Sequence, residues 1–283
     1  MIIVITGPTC VGKTKLSEHL AKKIDAIIIN ADAVQVYKEL NIGSAKPIKE
    51  EMSNQEHYLF DEKNITEDYT VFDYQKDIRK LLELNKDKNI IIVGGTGLYI
   101  SAGLYDYQFE ENLEKDEYEN LTNDELYKLA LEKDSKIDIH PNNRVRLVNF
   151  LNQTIKSTDG KNLLYEAKFI GLTTSRDILY EKINNRVDEM FEKGLLKEVE
   201  LLYNKKDDSR VLNSAIGYKE VIQYLNKETS YEEMIEIIKQ NSRRYAKRQY
   251  TWFNNKMNLE WFEVNYECFN NTIEQVEEYL GVN

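Results

Sequence analysis

The sequence predicts an α/β fold: a parallel sheet covered on both faces, carrying one mostly helical insertion. Three observations carry this. Short β-branched runs recur at residues 2–5, 26–29, 90–93, 168–172 and 259–264, apolar on both faces as buried parallel strands are. Helical patterns separate them, at about residues 14–23, 71–84, 176–203, 215–225 and 231–253. Residues 106–157 show no strand pattern, and their best helices are 124–132 and 143–155.

Composition narrows the class. The chain has 283 residues, 41% hydrophobic and 31% charged, which is globular and not disordered or fibrous. The expected organisation is a catalytic core of residues 1–105 and 158–283, interrupted by the insertion at 106–157. With 38 basic and 49 acidic side chains the net charge is −11, so nucleic-acid contact would need a local basic patch. Two cysteines, Cys10 and Cys268, point to a reducing compartment and not to a disulfide framework. The longest charge-free stretch, residues 89–105, carries four glycines and falls short of a membrane span. The first ten residues lack the basic region and cleavage site of a signal peptide, so a cytoplasmic location is expected.

The first strand runs into Gly7-Pro8-Thr9-Cys10-Val11-Gly12-Lys13-Thr14, which fits G-x-x-x-x-G-K-[ST] between a strand and a helix. Such a loop turns backbone amides toward an anion at a helix N-terminus. Lys13 adds a point charge, and the Thr14 hydroxyl can ligate Mg²⁺. The pattern indicates a di- or triphosphate ligand, a nucleotide such as ATP included. A phosphoryl-transfer enzyme usually adds a strand ending in Asp. Here strand 90–93 ends in Gly94-Gly95-Thr96-Gly97, which could bring amides and the Thr96 hydroxyl to a second substrate or serve only as a tight connection.

The acid comes after the second strand, in Asp32-Ala33-Val34-Gln35. Open α/β sheets bind ligands at strand carboxyl ends. Asp32 there can take a proton and Gln35 can read a base edge; equally, Asp32 can cap the turn that follows it. Between Ile238 and Leu259 stand six basic residues and no acid. Arg244, Lys247 and Arg248 share one helix face, and Tyr245, Gln249 and Trp252 another, a pattern that suits phosphates and unstacked bases as well as a solvated face over a packed aromatic stripe. The three histidines make no zinc spacing with the cysteines.

GPTCVGKT, NADAVQVYKELNIGSAKP, IIVGGTGLYISAGL, HPNNRVRLVNFL, AIGYKEVI and RRYAKRQYTWF stand in the order found in tRNA dimethylallyltransferases (the IPP transferase family), which the chain resembles over about residues 2–253. The resemblance implies a P-loop-kinase-like core with a helical insertion gripping the anticodon stem-loop. It implies transfer of a dimethylallyl group from dimethylallyl pyrophosphate to the exocyclic amine of the adenosine 3′-adjacent to the anticodon, with Mg²⁺, by what is expected to be a monomer. In that reading Gly7 to Thr14 hold the diphosphate and metal, and Asp32 is the general base beside Ala33, Val34 and Gln35 in the tRNA-contacting segment. Thr96 contacts substrate, and Arg146, Gly217, Tyr218 and Lys219 match tRNA-contacting elements. Arg186 and Arg248 are candidates for diphosphate or RNA, with Arg244 on the same basic face as Arg248. Departures from the family pattern are Ala33 for Ser, Glu39, Asn41 and Ser44 for Gly, Asp and Thr, and Asn149 and Asn152 in the R-A-L-E helix. Ser214 replaces a basic residue, and the insertion is short. These changes bear on RNA grip more than on the diphosphate cradle. The alternatives are an adenylate dimethylallyltransferase using free nucleotide, a P-loop nucleotide kinase and a non-catalytic RNA-binding paralogue.

Overall fold

The computed structural model describes residues 1–109, 118, 120–135, 137–152 and 162–282. It divides into two compact units, Met1–Leu104 with Tyr165–Asn283, and Tyr105–Leu164.

The larger unit holds a six-stranded, all-parallel sheet of order β3-β2-β4-β1-β5-β6. The strands are β1 (Ile2–Thr6), β2 (Ala26–Asn30), β3 (His57–Tyr58), β4 (Asn89–Val93), β5 (Ala167–Thr173) and β6 (Glu260–Glu263). All five strand patterns in the sequence form strands; β3 escaped notice because two residues carry no period. Ile3, Ile5, Ile28, Ile91, Val93, Ile170 and Leu172 point to one face and meet Leu16, Leu20, Leu179, Ile183, Ile273 and Val276. Their alternates Val4, Ile27, Ile29, Ile90 and Ile92 are also buried, so both faces are covered. The chain leaves β1 toward β2 and leaves β5 toward β6 at the opposite edge. The carboxyl end of β1 is therefore a topological switch point, where α/β sheets open a crevice.

Helix α1 (Lys13–Ile24) follows the phosphate loop, and α2 (Val71–Leu84) starts on a Thr70–Asp73 capping box. A third helix, α3 (Gly97–Leu104), lies where the sequence showed only a glycine-rich stretch. Within the smaller unit α4 (Asn123–Lys133) and α5 (Arg144–Asn152) enclose Leu126, Ala130 and Leu147. Arg144 ties them to the preceding segment by donating to the carbonyls of Tyr118 (2.9 Å) and Leu121 (2.5 Å). The expected continuation of α5 over residues 153–155 lies outside the described residues.

The helix expected over 176–203 is two, α6 (Arg176–Glu192) and α7 (Leu195–Leu202). They break at Gly194, whose φ of 99° a side-chain-bearing residue adopts only with strain. The next helix, α8 (Tyr218–Leu225), begins three residues later than the pattern suggested, on the Gly217 amide that donates to Glu220 at 2.7 Å. It is followed by α9 (Tyr231–Lys256) and α10 (Phe269–Leu280). The apolar spacing Ile273, Val276, Leu280 announces α10, although the sequence reading passed over it.

Behind the phosphate loop, α1 is anchored by Glu18. Its carboxylate accepts from His57 Nε2 at 2.8 Å and from the Ser53 amide at 2.6 Å, while His57 Nδ1 donates to the Gln55 carbonyl at 2.8 Å. Burial opposes charge on both partners, but the mutual hydrogen bonds outweigh it: His57 is raised and Glu18 lowered from their ordinary pKa values. The pair is a buried ion pair joining α1 to β3.

Candidate active site

At the carboxyl end of β1 the backbone turns through Gly7 (φ 133°), Cys10 (φ 68°) and Gly12 (φ 81°) before entering α1. Gly7 is required twice over. Its φ is left-handed, and a Cβ there would run into the Leu172 carbonyl of β5. The alternation of hand turns amides inward, and those of Cys10, Val11 and Gly12 donate to no group among the described residues. Lys13 folds back across the loop and donates to the carbonyls of Gly7 (3.1 Å) and Pro8 (2.6 Å). Burial first, and Arg186 second, lower its pKa to about 8, while Asp32 pulls the other way. Arg186 arrives from α6 and donates to Thr9 Oγ1 at 2.9 Å and to Cys10 Sγ at 3.7 Å. Two cations thus face a rim of free amides, which is the field an anion of several charges requires.

Asp32 stands beside that rim, near enough to Lys13 to favour its charged form. Asn30 Oδ1 accepts from the Asp32 amide at 2.9 Å. One carboxylate oxygen, Oδ1, takes the amides of Val34 (2.9 Å) and Gln35 (3.3 Å). Asp32 thus caps the turn through Oδ1, while Oδ2 accepts no hydrogen bond from the described residues. Thr96, on the turn after β4, accepts the Ala33 amide at 3.1 Å and donates its own amide to the Ala31 carbonyl at 3.1 Å. Tyr245 lies beside Asp32, Thr96 and Gln249. Burial and then the charge of Asp32 push its phenol well above the ordinary range.

Other expected residues have different surroundings. The Gln35 amide nitrogen donates to the carbonyls of Ser44 (3.1 Å) and Ala45 (3.3 Å), holding the loop instead of pointing a donor outward. Tyr218 is fully buried and donates to Glu198 at 2.7 Å. Glu198 in turn accepts the amides of Asn41 (3.2 Å), Ile42 (2.9 Å) and Gly43 (3.3 Å). Tyr218 thus supports the segment after Asp32 through Glu198, Gly217 opens α8, and Lys219 sits 3.6 Å from Glu220. Arg146 is exposed in the smaller unit. Arg244 and Arg248 are exposed on α9, and Arg248 lies 5.6 Å over the Tyr245 ring. Lys239 and Arg243 of the same stripe are taken by α6, through Asp188 at 2.7 Å and Asn184 at 2.5 Å.

Sequence alone left Tyr266 and Glu198 unmarked and named Gln249 only as part of a helix face. Gln249 accepts the Thr9 amide at 3.0 Å and donates to the Gly95 carbonyl at 2.9 Å. Tyr266 donates to the Cys10 carbonyl at 3.1 Å, fixing that residue's unusual backbone from outside. Glu198 was visible only as one acid in a helical run. No local pattern marks a residue whose partners are 150 positions away. Among the described residues no group of three or more His, Cys, Asp or Glu side chains could hold a metal, and no helix is long and apolar enough to cross a membrane.

A family model described as IPP transferase matches residues 35–256. The chain is 43% identical to a tRNA dimethylallyltransferase of Bacillus licheniformis, over 93% of this chain and 90% of that one. Among solved structures it is similar to the tRNA delta(2)-isopentenylpyrophosphate transferase of Staphylococcus epidermidis, with a TM-score of 0.76, 36% identity and coverage of 99% and 98%. It is also similar to a eukaryotic dimethylallyltransferase acting on tRNA, with a TM-score of 0.84, 25% identity and coverage of 99% and 79%.

Proposed function

This chain belongs to the IPP transferase family, and from that premise we infer that it is a prenyl transferase. It moves a dimethylallyl group from dimethylallyl pyrophosphate to the exocyclic amine of the adenosine 3′-adjacent to the anticodon of a tRNA, and releases pyrophosphate. The observation that carries the reading is the placement of Asp32 beside a cationic loop, one of its oxygens and the amides of Cys10 to Gly12 being unbonded among the described residues.

The chemistry follows from those residues. Breaking the allylic C–O bond leaves charge on the diphosphate. The amides of Cys10 to Gly12, Lys13 and Arg186 receive it from fixed positions, the largest kind of catalytic contribution. The Thr14 hydroxyl, at the first turn of α1, would hold Mg²⁺. A hydroxyl with no group of three or more His, Cys, Asp or Glu around it among the described residues fits a cation that takes its remaining ligands from phosphate and water. When bound, the ion supplies further stabilisation of the leaving charge. An adenine amine is a weak nucleophile, so Asp32 Oδ2 takes its proton during attack, and Thr96 and the capped turn keep that carboxylate in place.

The acceptor must be unstacked from its loop to reach Asp32, at a cost of about a few kcal/mol. Phosphate contacts that repay this come from Arg244 and Arg248, exposed beside Tyr245, and from Arg146 in the smaller unit, residues 106–157 being the stem-loop grip. A tRNA substrate supports a cytoplasmic location for the enzyme.

Incubation with dimethylallyl pyrophosphate and Mg²⁺, with either an anticodon stem-loop or AMP as acceptor, tests the reading by mass. A gain of one dimethylallyl group on the stem-loop adenosine is expected. A gain on AMP alone makes the enzyme an adenylate dimethylallyltransferase, and a gain on neither overturns the assignment.

A further inference from the structure

Gln249 occupies α9 one turn beyond Tyr245 and is only 5% exposed, although its neighbours Lys247 and Arg248 face outward. Both ends of its carboxamide are engaged, Oε1 by the Thr9 amide at 3.0 Å and Nε2 by the Gly95 carbonyl at 2.9 Å. Each partner leads to one side of the reaction. Thr9 carries the hydroxyl that accepts from Arg186 at 2.9 Å, on the diphosphate side. Gly95 precedes Thr96, whose hydroxyl holds the Ala33 amide at 3.1 Å next to Asp32. The two loops leave β1 and β4, neighbours in the sheet with Ile5 opposite Val93. Beyond the strand ends, among the described residues, Gln249 is the side chain that joins Thr9 to Gly95.

We propose that Gln249 is a positioning residue setting the gap between the diphosphate cradle and the acceptor's base, an assignment that rests on the transfer reading above. A carboxamide offers one acceptor and one donor at a fixed separation, which is what a facing N–H and C=O require. Methionine satisfies neither partner. Glutamate accepts from Thr9 but sets a carboxylate against the Gly95 carbonyl.

The gap matters because an ionising allylic group bonds to the nearest nucleophile. If the loops part, water enters. The C1–O bond breaks, pyrophosphate leaves with the electron pair, and the water oxygen bonds to C1. Its proton passes to solvent, and dimethylallyl alcohol forms in place of prenylated RNA.

Labelled dimethylallyl pyrophosphate with an anticodon stem-loop reads both products from one reaction. In Gln249→Met we expect RNA prenylation to fall by about a hundredfold, as a misplacement on the order of 1 Å does. The alcohol share should rise while inorganic pyrophosphate binds as it does to the wild type. A merely structural role would lower both products together. Gln249→Glu, of the same shape, should shift the product ratio in the same direction and serves if the methionine variant does not fold. An unchanged ratio in a folded variant overturns the role of Gln249 alone. A wild-type chain that prenylates no RNA overturns the transfer reading and this inference with it.

Discussion

The phosphate loop after β1 and the segment after β2, to which we assign donor and acceptor, follow strands that both pair with β4, yet they are fastened differently. Residues 7–14 are shaped largely from within, where two glycines and Cys10 set the hand of the backbone and Lys13 closes the loop onto carbonyls five and six residues back, while Gln249, Arg186 and Tyr266 add contacts to Thr9 and Cys10. Residues 32–46 depend on distant chain. Thr96 holds Ala33, and Glu198 holds the amides of 41–43 while Tyr218 fastens Glu198. A loop whose backbone hand is set by its own residues makes donor binding less sensitive to changes elsewhere. An acceptor segment fastened by remote side chains makes acceptor alignment the property that remote substitutions alter.

The largest expected contrast separates the two directly. Asp32→Asn keeps an oxygen for the Val34 amide but removes the base, so transfer should drop by roughly 10²–10⁴-fold while pyrophosphate binding survives. Lys13→Ala should lose pyrophosphate binding as well. Equal loss of pyrophosphate affinity in both variants, read by calorimetry, would break the comparison.

Next in size is the anchor behind the donor loop. His57→Leu leaves Glu18 buried without its partner and should cost about 3 kcal/mol in a denaturant titration. The sign follows from the two shifts. Glu18, lowered, contributes above the ordinary carboxylate value of 4.5 and loses that contribution as pH falls. His57, raised, contributes below the ordinary imidazole value of 6.5 and loses that contribution as pH rises through its higher folded value. The stability difference between wild type and variant should therefore be greatest between those pH values and shrink on either side.

A smaller effect is expected on the acceptor side. Glu198→Gln weakens three amide contacts and should raise the KM for stem-loop about tenfold, leaving pyrophosphate affinity alone. A rise confined to donor affinity would contradict the division between the two regions.

The smallest is a proton effect. With Lys13 at about 8, the free enzyme loses the loop's cation above that pH, so pyrophosphate affinity should fall by about fourfold near pH 8.5. Lys13→Arg, which does not titrate in this range, should abolish that part of the dependence.

The same division runs through what could be read from the sequence. The strands, the phosphate loop, Lys13, Asp32 and Thr96 are written in contiguous residues whose period or motif carries its own geometry. Arg186 and the roles of Tyr218 and Arg146 came only through family resemblance. For Gln35 and Tyr218, resemblance pointed to RNA while the structure shows donors already bonded to Ser44, Ala45 and Glu198. The break at Gly194 and the strand β3 were missed because one glycine or two residues do not disturb a periodic pattern.

By itself the chain's order of residues determined the parallel sheet and the anion loop, because backbone hand, helix start and charge are set within a few positions. Only the packed structure decided which oxygen of Asp32 is taken up by the turn and which cations face the loop. It also decided that Gln249 spans Thr9 and Gly95. Those depend on side chains that become neighbours only when the sheet brings its strand ends together.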